Sequence, residues 1–262
     1  MRRAMRGLAM TAGMAVLAFS LPIQALAWGM DGHKTVAYIA YELLTDKAKQ
    51  QVGAILGDAS EDAFVNSSTW ADDIRKPQPD QPYPGSGPWH YVSIQMAETA
   101  YSKAADCPTG DCAVEKIGEF NKQVVDPQVL GAIKKDALRF VIHFVGDVAQ
   151  PLHACENQDR GGNEVQVVLN GRQTNLHSVW DTGIIKGAWG DIAAHRALLL
   201  QRAKAEAAGF KVGAPADWAN ESHKLAVEVV HPSLGGPVKP GPVSPPVAIE
   251  TRLVALLDEE LS

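Results

Sequence analysis

Two His-x-x-x-Asp pairs on apolar segments constrain this sequence more than any other feature. His143 and Asp147 lie four residues apart in a run rich in Phe, Val and Ile, so a helix places both side chains on one face, about one turn apart. Burying an imidazole and a carboxylate among such residues costs several kcal/mol unless they pair or bind a metal. For one pair alone, a hydrogen-bonded cross-link between helices is an equally good explanation.

Repetition of this pattern favours a metal site over simple pairing. His177 and Asp181 have the same spacing, and His153 lies two residues after a helix-ending proline. Two more candidates lie upstream, Asp72 in the segment STWADD and His90 in the segment PWHY. These donors are nitrogen and oxygen atoms without a thiolate, which suits zinc in a hydrolytic site.

The amino-terminal residues have the three parts of a secretory signal peptide. Three arginines lie among the first six residues, an apolar run covers 8–23, and Ala25-Leu26-Ala27 fits a cleavage site. We therefore predict a signal peptide over 1–27, one domain over 28–262, and a protein secreted to a periplasm or to the cell exterior.

Cleavage after Ala27 would create a new amino terminus at Trp28. Its free α-amine and carbonyl oxygen can chelate a metal, and His33 is close enough in sequence to join them. Taken alone, these residues are better explained as an ordinary terminus and a polar helix residue, and only the other motifs favour a metal site.

Apolar periodicity predicts a mainly helical chain. The predicted helices cover 34–56, 127–150, 176–185, 191–208, 215–230 and 246–261. One β-hairpin is predicted, with a strand over 165–169 that meets the turn pair Asn170-Gly171. The expected fold is a single all-α domain with one small hairpin. After the leader, no apolar stretch is long enough to span a bilayer, so no stable membrane association is expected.

Charge and cysteine content restrict the partners. The chain has a formal net charge of −6, and the basic leader makes the remainder more acidic still, which disfavours a broad basic groove for nucleic acid. Any bound phosphate then needs a local positive charge, and bound metal supplies one. In an oxidising compartment Cys107 and Cys112 could close a short disulfide loop.

In combination, these motifs resemble the S1/P1 nuclease family of secreted trinuclear-zinc enzymes, whose fold is shared with bacterial zinc-dependent phospholipases C. The shared motifs are Trp-Gly-x-x-Gly-His from Trp28, Trp-Ala-Asp-x-Ile-Arg, His-x3-Asp-x5-His, Asp-Arg-Gly-Gly-Asn and a second His-x3-Asp. The resemblance covers essentially all of 28–262 and implies a mainly helical domain of that type.

The resemblance also implies three zinc ions. The ligands of the first would be Asp72, His90, His143 and Asp147, those of the second His153, His177 and Asp181, and those of the third Trp28, His33 and Asp147, which bridges two ions.

Four further residues match family positions near the substrate. By resemblance, Arg75 binds phosphate, Asn163 lies near the scissile phosphate, and Tyr91 stacks on a base. Ser93 stands where fungal members carry an aspartate that orients the attacking water. A serine cannot act as a charged base, so we expect a different rate or pH optimum.

The function implied is hydrolysis of single-stranded RNA and DNA to 5′-phosphate products, with removal of 3′-phosphates from nucleotides, by a monomer. The alternative enzyme is a phospholipase C, but phospholipases carry a glutamate at the position of Asp181, and Tyr91 offers a base-stacking surface. A second alternative is a non-catalytic zinc-binding protein. Such proteins usually use flexible His/Asp-rich tracts, which this sequence lacks.

Overall fold

The structure is a computed structural model that describes residues 28–76, 80–207, 209 and 213–249. The predicted signal peptide lies outside these residues. Among the described helices, none combines the length and apolar character that crossing a membrane requires.

Helices dominate the described residues, as predicted. The α-helices are α1 (Met30–Leu43), α2 (Asp46–Leu56), α3 (Glu61–Ser67), α4 (Trp70–Ile74), α5 (Lys103–Asp106), α6 (Ala113–Val125), α7 (Gly131–Val148), α8 (Leu176–Ser178), α9 (Ile184–Trp189), α10 (Arg196–Glu206) and α11 (Pro215–Leu225). Short 3₁₀ turns cover Gly87–His90, Pro151–His153, Ile192–His195 and Pro232–Leu234, and π-helical turns cover Val179–Gly183 and Ala226–Val230.

The predicted helix over 34–56 is two helices. Leu44 has an extended backbone with ψ of 143°, and the Thr45 side chain accepts a hydrogen bond from Ala48 N at 3.2 Å. A threonine with extended backbone caps a new helix and satisfies one of its free N–H groups. The prediction of one continuous helix was therefore wrong at this break.

Helix α7 forms the centre of the largest core cluster. Phe140 and Phe144 are fully buried, and the Phe140 ring stacks on Phe120 of α6 with centroids 4.5 Å apart. Helix α6 itself was not located from sequence. The Cys107–Cys112 disulfide closes the loop before it, which confirms that predicted pairing.

The predicted hairpin is present as β1 (Val165–Leu169) and β2 (Arg172–Asn175). Asn170 and Gly171 have φ of 51° and 71°, the backbone that a tight two-residue hairpin turn requires. A third strand, β3 (Val243–Ala248), pairs parallel to β1, so the order is β2-β1-β3. The helix predicted over 246–261 is wrong at 246–248, where adjacent prolines favour extended backbone. From 250 onward that prediction lies outside the described residues.

Candidate metal centre

Four of the predicted ligands converge around the carboxyl-terminal half of α7. His143 and Asp147 are fully buried, and His143 Nε2 lies 3.1 Å from Asp147 Oδ2. The Gly87–His90 turn brings His90 Nδ1 to 2.9 Å from the same oxygen and 3.0 Å from His143 Nε2. Asp72 of α4 places Oδ1 3.8 Å from both ring nitrogens. We call Asp72, His90, His143 and Asp147 the α7 group.

Three other predicted ligands meet on short turns. His177 Nε2 lies 3.4 Å from Asp181 Oδ2, and His153 Nε2 lies 4.0 Å from Asp181 Oδ1. The two imidazoles stack with centroids 5.0 Å apart. We call His153, His177 and Asp181 the turn group. It adjoins the α7 group, because His153 Nδ1 is 3.8 Å from Asp147 Oδ1.

The remaining predicted ligands lie beside these groups. His33 of α1 places Nε2 3.2 Å from Asp147 Oδ1, so Asp147 presents one oxygen to His33 and the other to His90 and His143. Gly29 N donates to Asp181 O at 2.7 Å, which holds the segment after Trp28 against the turn group. A side chain at Gly29 would clash with Thr182 Oγ1, so this close approach requires glycine.

The spacing of the donor atoms fits a metal ion. Four ligands placed tetrahedrally about 2.0–2.1 Å from one zinc ion are roughly 3.4 Å apart. In the α7 group the measured separations run from 2.9 to 3.8 Å. Donor atoms of His90, His143 and Asp147, of His153, His177 and Asp181, and of His33, Asp72 and His143 lie within 4.8 Å of one another in each set.

The ring tautomers give a second test of the fit. His143 Nδ1 must donate to the Ser68 carbonyl, and His177 Nδ1 must donate to the Gly161 carbonyl at 2.6 Å. In each neutral ring, Nε2 then presents a lone pair to a carboxylate oxygen, and two acceptors cannot hydrogen-bond to one another. A cation or an added proton must lie between them. The residues therefore fit a metal centre.

The pKa values of the α7 group are set by competing effects. Burial alone would raise the pKa of Asp147, but His143, His33 and His90 outweigh burial and hold this pKa well below its ordinary value. Burial lowers the pKa of His143, yet Asp147 and Asp72 outweigh it and leave this pKa raised. A proton can therefore occupy His143 until a metal displaces it.

In the turn group, burial dominates. It raises the pKa of Asp181 well above its ordinary value, although the Gln150 hydrogen bond acts in the opposite direction. Burial also lowers the pKa of His153 to about 3 and that of His177 to about 4. Both imidazoles are neutral at pH 7, so their lone pairs are available to a metal.

Gln150 is a residue of the centre to which sequence reasoning assigned no role. It is fully buried, its Nε2 donates to Asp181 Oδ1 at 2.6 Å, and its Oε1 accepts from Leu152 N. This amide connects the end of α7 to the turn group and leaves Asp181 Oδ2 facing His177. Its place directly before Pro-Leu-His was the available sequence signal.

The residues predicted to contact substrate line one groove of about 1120 Å³ beside the metal centre. Arg75 Nε lies 3.2 Å from Asp72 Oδ1, and Asn163 Nδ2 donates to the Arg160 carbonyl at 2.9 Å. Tyr91 is 44% exposed, and Ser93 lines the same wall. The fold therefore brings Arg75, Tyr91, Ser93 and Asn163 together with the imidazoles of both groups.

Comparison with known proteins identifies related chains. The model of the S1/P1 nuclease family matches residues 28–239. Nuclease S1 of Aspergillus oryzae is 34% identical over 166 residues, which cover 62% of this chain and 56% of that protein. Nuclease PA3 of a Penicillium species is 29% identical over 245 residues, covering 83% and 87%. Endonuclease 2 of Arabidopsis thaliana is 31% identical over 175 residues, covering 63% and 58%. The chain thus spans little more than half the length of two of these three relatives.

Proposed function

Because this chain belongs to the S1/P1 nuclease family, we propose that it is a secreted, zinc-dependent phosphodiesterase. Its proposed substrates are single-stranded RNA and DNA, which it cleaves to 5′-phosphate products, and 3′-nucleotides, from which it removes the phosphate. The names of its relatives, which are nucleases and endonucleases, support this class of substrate.

We assign three zinc ions to the centre. The α7 group would hold one ion and the turn group a second. His33, Asp147 and the amine and carbonyl of a processed Trp28 would hold the third. The two differently directed oxygens of Asp147 support its role as a shared ligand. When bound, zinc supplies Lewis-acid activation of water and positive charge facing a phosphate.

The side chains of the groove would position the substrate. Arg75, held by its ion pair with Asp72, would bind a phosphate oxygen with its guanidinium. Asn163, anchored on the Arg160 carbonyl, would lie beside the scissile phosphate. The half-exposed Tyr91 ring would stack on a base. The Ser93 hydroxyl would orient the attacking water by one hydrogen bond, without acting as a charged base.

One observation carries this proposal. Two of the three sets of buried His and Asp donors reach the groove through His90, His153 and His177, and the same groove is lined by Arg75, Tyr91 and Asn163. A purely structural role for the His–Asp pairs predicts a donor facing an acceptor in each pair. At His177 the ring offers only a lone pair toward the Asp181 carboxyl, a position that either a metal ion or a proton on Asp181 fills.

The test compares three phosphoesters with one preparation that begins at Trp28. We expect hydrolysis of single-stranded RNA to 5′-phosphate ends and release of phosphate from 3′-AMP, with no turnover of phosphatidylcholine vesicles. Asp147→Asn should abolish both activities. Asp62→Asn, which removes an exposed carboxylate on α3, should leave them unchanged and serves as the matched control.

Each alternative predicts a different result in this assay. Turnover of phosphatidylcholine alone would identify a phospholipase C, and bound zinc without any turnover would identify a zinc-binding protein.

Secretion is tested by expressing the full chain in a bacterial host. The exported protein should begin at Trp28 and elute as a monomer, whereas retention of residues 1–27 would contradict the proposal.

A further inference from the structure

The groove continues beyond the metal centre onto the β1–β2 hairpin. Its volume of about 1120 Å³ exceeds the roughly 300–1000 Å³ of typical small-ligand clefts. His90, His153 and His177 line the groove at the metal centre, and Gln166, Gln173 and Asn175 line it from the hairpin. The groove therefore has room for more of a substrate than one phosphate and its nearest base.

Strand geometry places these three carboxamides on one face. Val165 and Val167 are 1% and 0% exposed and point into the core, so the alternating Gln166 faces the groove. In the antiparallel register Gln166 pairs with Asn175, and Val168 pairs with Gln173, which puts Gln173 and Asn175 on the same face as Gln166. We call Gln166, Gln173 and Asn175 the amide wall.

Hydrogen bonds order the amide wall but occupy only some of its donors and acceptors. Gln173 Nε2 donates to Gln166 Oε1 at 3.4 Å, and Asn175 Oδ1 accepts from Ser178 N at 2.8 Å. A carboxamide has two N–H donors and two acceptor lone pairs. Each member of the wall therefore keeps donor or acceptor positions for a ligand.

The chemistry of the wall suits bases better than phosphates. Among the described residues that line the groove, the Lys and Arg side chains are Arg75 and Arg160, and Arg160 lies 3.9 Å from Glu164. Lys and Arg supply the charge for phosphate binding, whereas carboxamides, although they can also contact phosphate, match the donor and acceptor edges of bases. A neutral amide surface next to the metal centre therefore favours recognition of base edges.

We propose that the amide wall is a base-reading subsite. It hydrogen-bonds the edge of an unpaired base on a nucleotide adjacent to the one whose phosphate lies at the metal centre. Unpaired bases expose their hydrogen-bonding edges, whereas a duplex engages them in pairing. The subsite thus makes a single strand of at least two nucleotides a better substrate than a mononucleotide. This inference rests on the proposed nuclease function.

The test compares the double variant Gln166→Ala, Gln173→Ala with wild type on three substrates. These are a short single-stranded oligonucleotide, an oligonucleotide of the same length in which abasic sites flank the scissile phosphate, and bis(4-nitrophenyl) phosphate. We expect kcat/KM for the first to fall about 10-fold or more. The other two should change by less than about twofold, because they offer no base to the wall. The control is Gln201→Ala, which removes an exposed amide from α10.

Two outcomes would overturn the proposal. One is equal kcat/KM for wild type and double variant on the base-containing substrate, and the other is a proportional loss on all three, which would mark a structural role. If wild type cleaves none of them, the nuclease function itself fails. In that case the fluorescence anisotropy of a labelled oligonucleotide tests separately whether the amide wall binds bases. Weaker binding by the double variant supports it, and unchanged binding refutes it.

Discussion

The two His-x-x-x-Asp pairs have identical spacing but opposite electrostatics. On α7, the pKa of Asp147 is held low and that of His143 is raised, because several imidazoles and two carboxylates meet there. On the turn after α8, burial raises the pKa of Asp181 and lowers that of His177 to about 4. The same local motif therefore has a charge state that depends on what the rest of the fold packs around it.

This difference has a consequence for metal binding. Without a cation, the α7 group can share a proton between His143 and Asp147. In the turn group the raised pKa of Asp181 and the lowered pKa of His177 place that proton on the carboxyl, because burial favours the neutral form of both groups. We therefore expect zinc binding to release a proton from Asp181 in the turn group and from His143 in the α7 group. Five predictions test this comparison, in order of decreasing effect.

Complete metal removal should have the largest effect. Chelation should abolish activity and lower the melting temperature by about 10 °C or more, since each ion that binds only the folded state adds stability. Metal analysis before and after chelation, with calorimetry, checks this, and restored zinc should reverse both losses. An unchanged melting temperature after verified removal would show that neither group needs metal for order.

Neutralising the shared carboxylate should have the next largest effect. Asp147→Asn should remove about two of three ions, since Asp147 faces both His33 and the α7 imidazoles, and should lower kcat/KM by more than about 1000-fold. Asp181→Asn should remove one ion. Metal-to-protein ratios for both variants give the answer. Equal, mild losses would mean that Asp147 is not shared.

Retaining residues before Trp28 tests the proposed third ion, which would share Asp147 with the α7 group. With an extra methionine or tag, the Trp28 nitrogen is an amide and a very poor zinc ligand. Such a protein should fold, keep about two ions, and lose activity by roughly 100-fold. Removing the extension with a site-specific protease should restore activity. Full activity with the extension verified by mass spectrometry would exclude the terminal amine as a required ligand.

Replacing Gln150 tests whether the turn group needs the hydrogen bond from this amide. Gln150→Leu removes the hydrogen bond to Asp181 Oδ1 and should weaken one zinc site by about 10–100-fold, the usual effect of removing an outer-shell partner. Competition with a chromogenic chelator measures this, and Gln201→Ala on the surface is the control. Unchanged affinity would mean that burial alone orients Asp181.

Replacing Tyr91 should have the smallest effect, because in the proposed mechanism it contacts a base and not a metal ligand of the α7 group or the turn group. Tyr91→Ala should raise KM for nucleotides by an amount equivalent to roughly 1–3 kcal/mol of base stacking. Hydrolysis of a small phosphodiester without a base should be spared. Equal damage to both substrates would instead indicate that Tyr91 supports the neighbouring His90.

Much of this molecule could be read from residue spacing. The repeated His-x-x-x-Asp pattern selected the residues that converge, Asn170-Gly171 located the hairpin turn, and Cys107 and Cys112 were close enough to pair. Spacing of this kind is a local property, because a helix or tight turn brings together residues a few positions apart whatever surrounds them.

Contacts between residues far apart in the sequence were decided by the tertiary structure. The parallel pairing of β3 with β1, the use of His90 Nδ1 toward Asp147, and the amide of Gln150 on Asp181 all join separate parts of the chain. The opposite pKa shifts of Asp147 and Asp181 have the same origin. Desolvation and neighbouring charge act through space, so an identical local motif acquires its chemistry from the residues that the fold places around it.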